Sequence, residues 1–118
     1  ICACLVGSEM CIRDRNNNIR SLDYGLMQIN QMHIPMLKKR GIIQDERDLL
    51  DNPCLNIKIG TEILYNHFSR CGVTWQCLGT YNAGFAMDNK KKRLQYAKKI
   101  YIVYTRLNEL DNRKALAK

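Results

Sequence analysis

DNPCLNIKIGTEILYNHFSRCG, residues 51–72, decides the fold class. Asn52 is a good N-cap, because its side-chain oxygen can accept from an orphan N–H of the first turn. Pro53 fits the first helical position, where its missing N–H costs nothing. Behind them Ile57, Gly60, Leu64 and Phe68 recur at three- and four-residue spacing, which puts them on one face of a helix. Glu62 falls away from that stripe, toward solvent. Gly72 ends the segment, since glycine enters the left-handed conformation at a helix terminus without a Cβ penalty.

Downstream the same pattern continues. Thr74 is placed to cap a helix from Trp75 to about Ala83, and Gly84 interrupts it. The last helix is expected from about Lys91 to Leu110, without Gly or Pro inside. Its stripe is Leu94, Ala97, Tyr101 and Tyr104, widened by Ile100, Val103, Leu107 and Leu110, with Lys98, Lys99 and Arg106 on the polar side. Residues 111–118 read as a polar tail. Upstream, residues 16–24 (NNNIRSLDY) are polar and loop-like, and Leu26, Met27 and Ile29 begin a short helix after Gly25. A further helical piece runs from Met32 to Lys39 and stops at Gly41, and Asp45 caps the turn DERDLL. No β-alternation of useful length, internal repeat or linker interrupts this, so the expectation is an all-α domain.

The chain has 118 residues, enough for one compact domain, and 46% of them are hydrophobic, enough for a core. Two prolines and seven glycines argue against a collagen-like or disordered chain. No apolar run of about 20 residues exists to span a membrane. The net charge of +8 suits a polyanion, whether nucleic acid, an anionic membrane surface or a wall polymer, and does not choose among them. KKKR at 90–93 reads as a solvated helix end before a recognition patch.

Residues 4–15, CLVGSEMCIRDR, stand apart. Leu5 to Asp14 can be written CTC GTG GGC TCG GAG ATG TGT ATA AGA GAC, which resembles a transposase adapter of short-read libraries. Residues 1–15 are therefore expected to be foreign to the domain, which is taken as 16–110. Cys54, Cys71 and Cys77 remain after this exclusion, an odd number. No Cys-x-x-Cys pair or Cys/His spacing suits a metal, and His33 and His67 read as ordinary surface or helix histidines. Cys71 and Cys77 could pair across the Gly72–Thr74 turn, and the sequence leaves three single pairings open.

Three stretches together carry a resemblance: SLDYGLMQIN (21–30), DNPCLNIKIGTEIL (51–64) and GVTWQCLGTYNAGF (72–85). In this order they resemble the lysozyme-like lytic transglycosylases of the soluble-transglycosylase type, in particular the small branch associated with secretion and invasion machinery. The likeness covers most of residues 16–104. It implies a compact helical fold with a groove for a peptidoglycan glycan strand, no cofactor, and a periplasmic or secreted location. The implied reaction cleaves the β-1,4 bond between N-acetylmuramic acid and N-acetylglucosamine. One glutamic acid protonates the glycosidic oxygen and then takes the proton of the muramic 6-hydroxyl, which closes a 1,6-anhydro ring without water.

The resemblance also assigns residues. Gln28 and Asn30 match groove-facing amides, and Met27 would line the same wall or pack in the core. Tyr81 and Asn82 match the YNAG pair, the tyrosine standing near the acid. Trp75 is a candidate sugar platform, outweighed by a core-anchoring role. The family's glutamate lies upstream of GLMQ, in a window falling here on residues 5–10. Glu9 occupies it, but Met10 follows and the stretch is adapter-like, so the domain is expected to be N-terminally truncated and this chain to lack its acid. Asp23, Glu46, Asp48 and Asp51 read as loop, turn and cap residues. A cysteine in a lost segment would suit Cys54. The rival readings are a non-catalytic peptidoglycan-binding protein of a secretion system, a true hydrolase and a basic nucleic-acid binder, and the motifs do nothing for the last.

Overall fold

A computed structural model describes residues 10–13, as backbone, and residues 21–117. Glu9 and most of the adapter-like stretch lie outside them. The chain divides into two units, Ile1–Glu62 and Ile63–Lys118.

In the first unit, strands β1 (Met10–Arg13), β2 (Ser21–Tyr24) and β3 (Ile29–Asn30) form an antiparallel sheet in the order β1-β2-β3. Met10 stands opposite Tyr24 and Arg13 opposite Ser21. Asp23 faces Asn30 and Tyr24 faces Ile29. The loop expected before Gly25 is thus partly a strand, and the helix expected to begin there is a turn. Gly25 and Gln28 have φ of +70° and +51°, left-handed values that a right-handed helix cannot propagate. The apolar spacing of Leu26, Met27 and Ile29 is too short to separate the two cases.

Next come a 3-10 turn at Gln31–His33 and helix α1 (Ile34–Lys39) with Pro35 in its first turn. Gly41 follows with φ +72°, as expected of a helix stop. At DERDLL, the Asp45 side chain accepts from the Arg47 N–H, and Asp48 accepts from Gln44 and Asp45, which sets up the one-turn helix α2 (Asp48–Asp51). Among the described residues of this unit, Ile29, Ile34, Leu37, Ile43, Leu49 and Ile59 are buried apolar side chains, with Tyr24.

Helix α3 (Pro53–Cys71) starts as its sequence requires, with Asn52 Oδ1 accepting from the Leu55 N–H at 3.1 Å. Its inward face keeps Gly60, Leu64 and Phe68 of the expected stripe and departs from it at Ile57. Ile57 is 46% exposed, whereas Asn56, Ile59 and Gly60 are buried. At that turn Asn56 is buried instead, because its amide has buried backbone partners. Glu62 faces solvent and pairs with Arg40 at 3.3 Å.

In the second unit, α4 (Trp75–Ala83) begins where Thr74 Oγ1 accepts from the Cys77 N–H at 3.1 Å. Gly72 and Gly84 have positive φ at the two helix ends. Cys71 and Cys77 form a disulfide, with Cα atoms 5.7 Å apart. Helix α5 runs from Lys90 to Leu116, through most of the expected tail. It approaches α4 at Gly79, where a Cβ would lie 2.3 Å from the Arg93 carbonyl oxygen. Trp75, 40% exposed, meets Tyr101 and Tyr104 edge-on at 5.2 and 5.6 Å. Ala97 is buried, while the rest of the expected stripe beyond it is half exposed. Among the described residues no helix is long and apolar enough to cross a membrane. The described residues are mostly helical, and the fold is that of an all-α, lysozyme-like domain carrying a small sheet.

Candidate functional site

The GLMQIN turn is built around one buried amide. Asn56, with no exposed surface, accepts from the Met27 N–H at 2.8 Å and donates to the carbonyls of Tyr24 at 2.9 Å and Leu49 at 3.0 Å. Gly25 is obligatory beside it: its φ is positive, and a Cβ would fall 2.3 Å from Asn56 Nδ2. Met27 lies over Gly60, where an added Cβ would meet its Cβ at 2.4 Å. That contact is packing on α3.

Gln28 closes the turn twice, its N–H reaching Gly25 O at 3.0 Å and its Nε2 the same oxygen at 2.8 Å. Its Oε1 remains an acceptor. Asn30 spends its amide locally. Nδ2 donates to Ser21 Oγ and to Asp23 Oδ1 at 3.0 Å, and Oδ1 accepts from the Met32 N–H at 3.0 Å. Asn30 also lines an open depression of about 730 Å³ with Tyr24, Met32, Lys38 and Glu46. Lys38 and Glu46 form an ion pair of 2.7 Å there, and that hydrogen bond holds the Glu46 carboxyl below its usual range. Burial, followed by the Glu46 charge, pushes the Tyr24 hydroxyl up. Asp23, read as a cap or loop residue, is instead a buried strand residue accepting from Asn30.

In the second unit, Tyr81 and Asn82 lie half-buried near the end of α4. The Tyr81 ring is tilted 59° to His67, with centroids 6.2 Å apart. His67 is no ordinary surface histidine. Its ring stacks on Phe85 at 4.9 Å, and its Nδ1 lies 2.7 Å from Thr80 Oγ1. The Thr80 hydroxyl gives its single proton to Cys77 O at 2.6 Å. With the hydroxyl donating to Cys77, the Nδ1–H tautomer of His67 is the one that matches Thr80. Burial, then the charge of Arg70, lowers the His67 pKa. The segment after YNAG is pinned from the far side. Arg93 donates to Gly84 O at 3.1 Å and Ala86 O at 2.5 Å, and Asn89 to Ala83 O at 3.0 Å. The last residue of KKKR thus holds backbone, while Lys90, Lys91 and Lys92 are exposed.

An acid for glycosidic cleavage needs a raised pKa, usually through burial. The described glutamates do not offer one. Glu46 is shifted down, Glu62 is exposed and paired with Arg40, and Glu109 is exposed on α5. Sequence reasoning missed Asn56, His67 and Arg93. Asn56 left one cue, a polar residue a turn before Ile59 and Gly60. The other two depend on partners that no spacing reveals.

Comparison with known proteins places these motifs. The Transglycosylase SLT domain matches residues 8–104, a span that begins within the adapter-like stretch. A peptidoglycan-binding-like protein of Escherichia coli O157:H7 is 92% identical over 106 residues, covering 90% of this chain and 64% of the relative. Invasion protein IagB of Salmonella typhi is 41% identical over 96 residues, covering 81% of this chain and 59% of its own length. Protein IpgF of Shigella flexneri is 40% identical over 91 residues, covering 77% and 59%. The chain thus spans less than two thirds of these curated relatives. No solved structure matches it.

Proposed function

Because the chain belongs to the Transglycosylase SLT domain family, we propose that it holds peptidoglycan glycan strands for lytic cleavage, with the catalytic acid supplied from outside the described residues. The observation that carries this is the family match across GLMQIN, NIKIG and YNAG, set beside described glutamates that are exposed or ion-paired. Gln28 Oε1 offers an acceptor to a sugar hydroxyl or amide N–H, and Met27 and Asn30 set the surface around it. Tyr81 and Asn82 serve the same strand from the YNAG segment. Where a glutamic acid is present, it protonates the glycosidic oxygen as the C1–O bond breaks. The muramic 6-hydroxyl then attacks C1 and returns its proton to the carboxylate, leaving a 1,6-anhydro end. Glu9 stands in the window of the family's acid, but within the adapter-like stretch read as foreign to the domain.

The name of the Escherichia coli O157:H7 relative, peptidoglycan-binding-like, favours binding as the property this chain retains. The disulfide favours an oxidising compartment, periplasmic or extracellular. A role beside a secretion apparatus follows from the likeness to IagB and IpgF, the former an invasion protein. Co-sedimentation with purified, insoluble peptidoglycan tests the binding reading. Retention at 0.3 M salt, weakened several-fold by Gln28→Ala, is expected. Release of all protein at that salt, with equal retention on DNA-cellulose at low salt, would leave only a polycation.

A further inference from the structure

We propose that Arg70, stacked on Phe85 beside the YNAG segment, is a subsite for a carboxylate of the peptidoglycan stem peptide. The Arg70 guanidinium carbon lies 3.9 Å from the Phe85 ring centroid. Phe85 is held on its own account by the His67 ring at 4.9 Å and 29°, and His67 by Thr80 at 2.7 Å. The stack therefore rests on a buried hydroxyl at its base and ends in an exposed cation. A guanidinium held over a ring still has N–H groups for a planar, two-oxygen acceptor, and the contact restricts its rotamers before a ligand arrives.

Among the described residues Arg70 takes part in no ion pair and no hydrogen bond, whereas Arg40 pairs with Glu62 and Arg93 with two carbonyls. Its guanidinium, beside the YNAG segment, is therefore open to an outside partner. Phe85 closes the TYNAGF motif, so a strand lying along Tyr81 and Asn82 would bring its side groups to this edge. Glycan strands of the wall carry peptide stems with carboxylates, which are the only anions on an otherwise neutral sugar backbone. His67 stays neutral near pH 7, so the stack presents one cation and not two. The inference rests on the glycan-holding reading and adds the part of the substrate that is not sugar.

The test is titration calorimetry of this chain with three probes at 0.05 M salt: chitotetraose, a disaccharide-tetrapeptide dimer with free stem carboxylates, and the same dimer amidated at those carboxylates. The free-carboxylate dimer should bind about tenfold tighter than the amidated one, the value of one charge-assisted pair at a partly exposed site. Arg70→Gln should abolish that ratio and leave chitotetraose binding unchanged. Arg70→Lys should restore only part, because an ammonium lacks the fork and the stacking face. Phe85→Leu should reduce the ratio with Arg70 intact. An unchanged ratio in Arg70→Gln, with all three probes still bound, overturns the subsite and leaves the glycan reading standing. Loss of all three probes from the unsubstituted chain overturns both.

Discussion

Asn56 shows how one side chain can govern a motif that does not contain it. Its amide holds Tyr24, Met27 and Leu49 by their backbones, and all of it is buried. Asn56→Ala strands three backbone groups at once, at about 1–3 kcal/mol for each buried group left unpaired. Urea unfolding should show a loss of about 3 kcal/mol or more, and the GLMQIN amides should lose hydrogen-exchange protection. A change under 1 kcal/mol would mean water replaces the amide easily. His67 gives a pH prediction of definite sign. Its pKa lies below the ordinary 6.5 in the folded state. The unfolded chain therefore binds the proton first. The stabilisation is complete above pH 6.5 and is lost as pH falls through the lowered folded value. The drop in melting temperature between pH 7.5 and pH 5 should be smaller in His67→Gln than in the unsubstituted protein, and an equal drop would contradict the assignment. Neither residue was legible in the sequence. A buried asparagine and a stacked histidine are defined by partners 29 and 13 positions away, and local pattern carries no such signal.

The helices were legible because their ends are chemical and local. Asn52, Thr74, Gly41, Gly72 and Gly84 act on their own turns, and each does what its type requires. Thr74→Ala should cost about 1 kcal/mol in thermal or urea unfolding, the usual value of an N-cap. Gly79→Ala should cost more, because the added methyl meets Arg93 backbone rather than a side chain that can swing away. Reduction of the Cys71–Cys77 bridge, which closes a loop of sequence separation 6, should remove about 2 kcal/mol. No change on reduction would mean the α3–α4 turn holds without it. GLMQIN was misread as a helix for a physical reason. Six residues cannot separate a helical period from a turn followed by a strand, and only the positive φ of Gln28 decides it. Ile57 was misplaced on the inner face of α3 for a related reason: the apolar pattern ranks Ile57 above Asn56, and the buried hydrogen bonds reverse that order.

At the scale of the whole molecule, the order of three motifs carried more than any of them alone. It gave the family, which the match over residues 8–104 bears out, and the mostly helical fold. Composition gave only a cation in search of a polyanion. The chemistry was the least legible part, because the acid that the resemblance implies would fall in a window that includes Glu9, outside the described residues. The central claim is that this chain grips peptidoglycan while the acid that cuts it lies elsewhere than in Glu46, Glu62 or Glu109. Mass spectrometry of the soluble products after overnight incubation with purified peptidoglycan tests this directly, with Glu46→Gln, Glu62→Gln, Glu109→Gln and Glu9→Gln in parallel. The expected result is protein bound to the wall, with any 1,6-anhydro-muropeptides abolished by Glu9→Gln alone or absent throughout. Anhydro products that disappear in Glu46→Gln, Glu62→Gln or Glu109→Gln and persist in Glu9→Gln would contradict it.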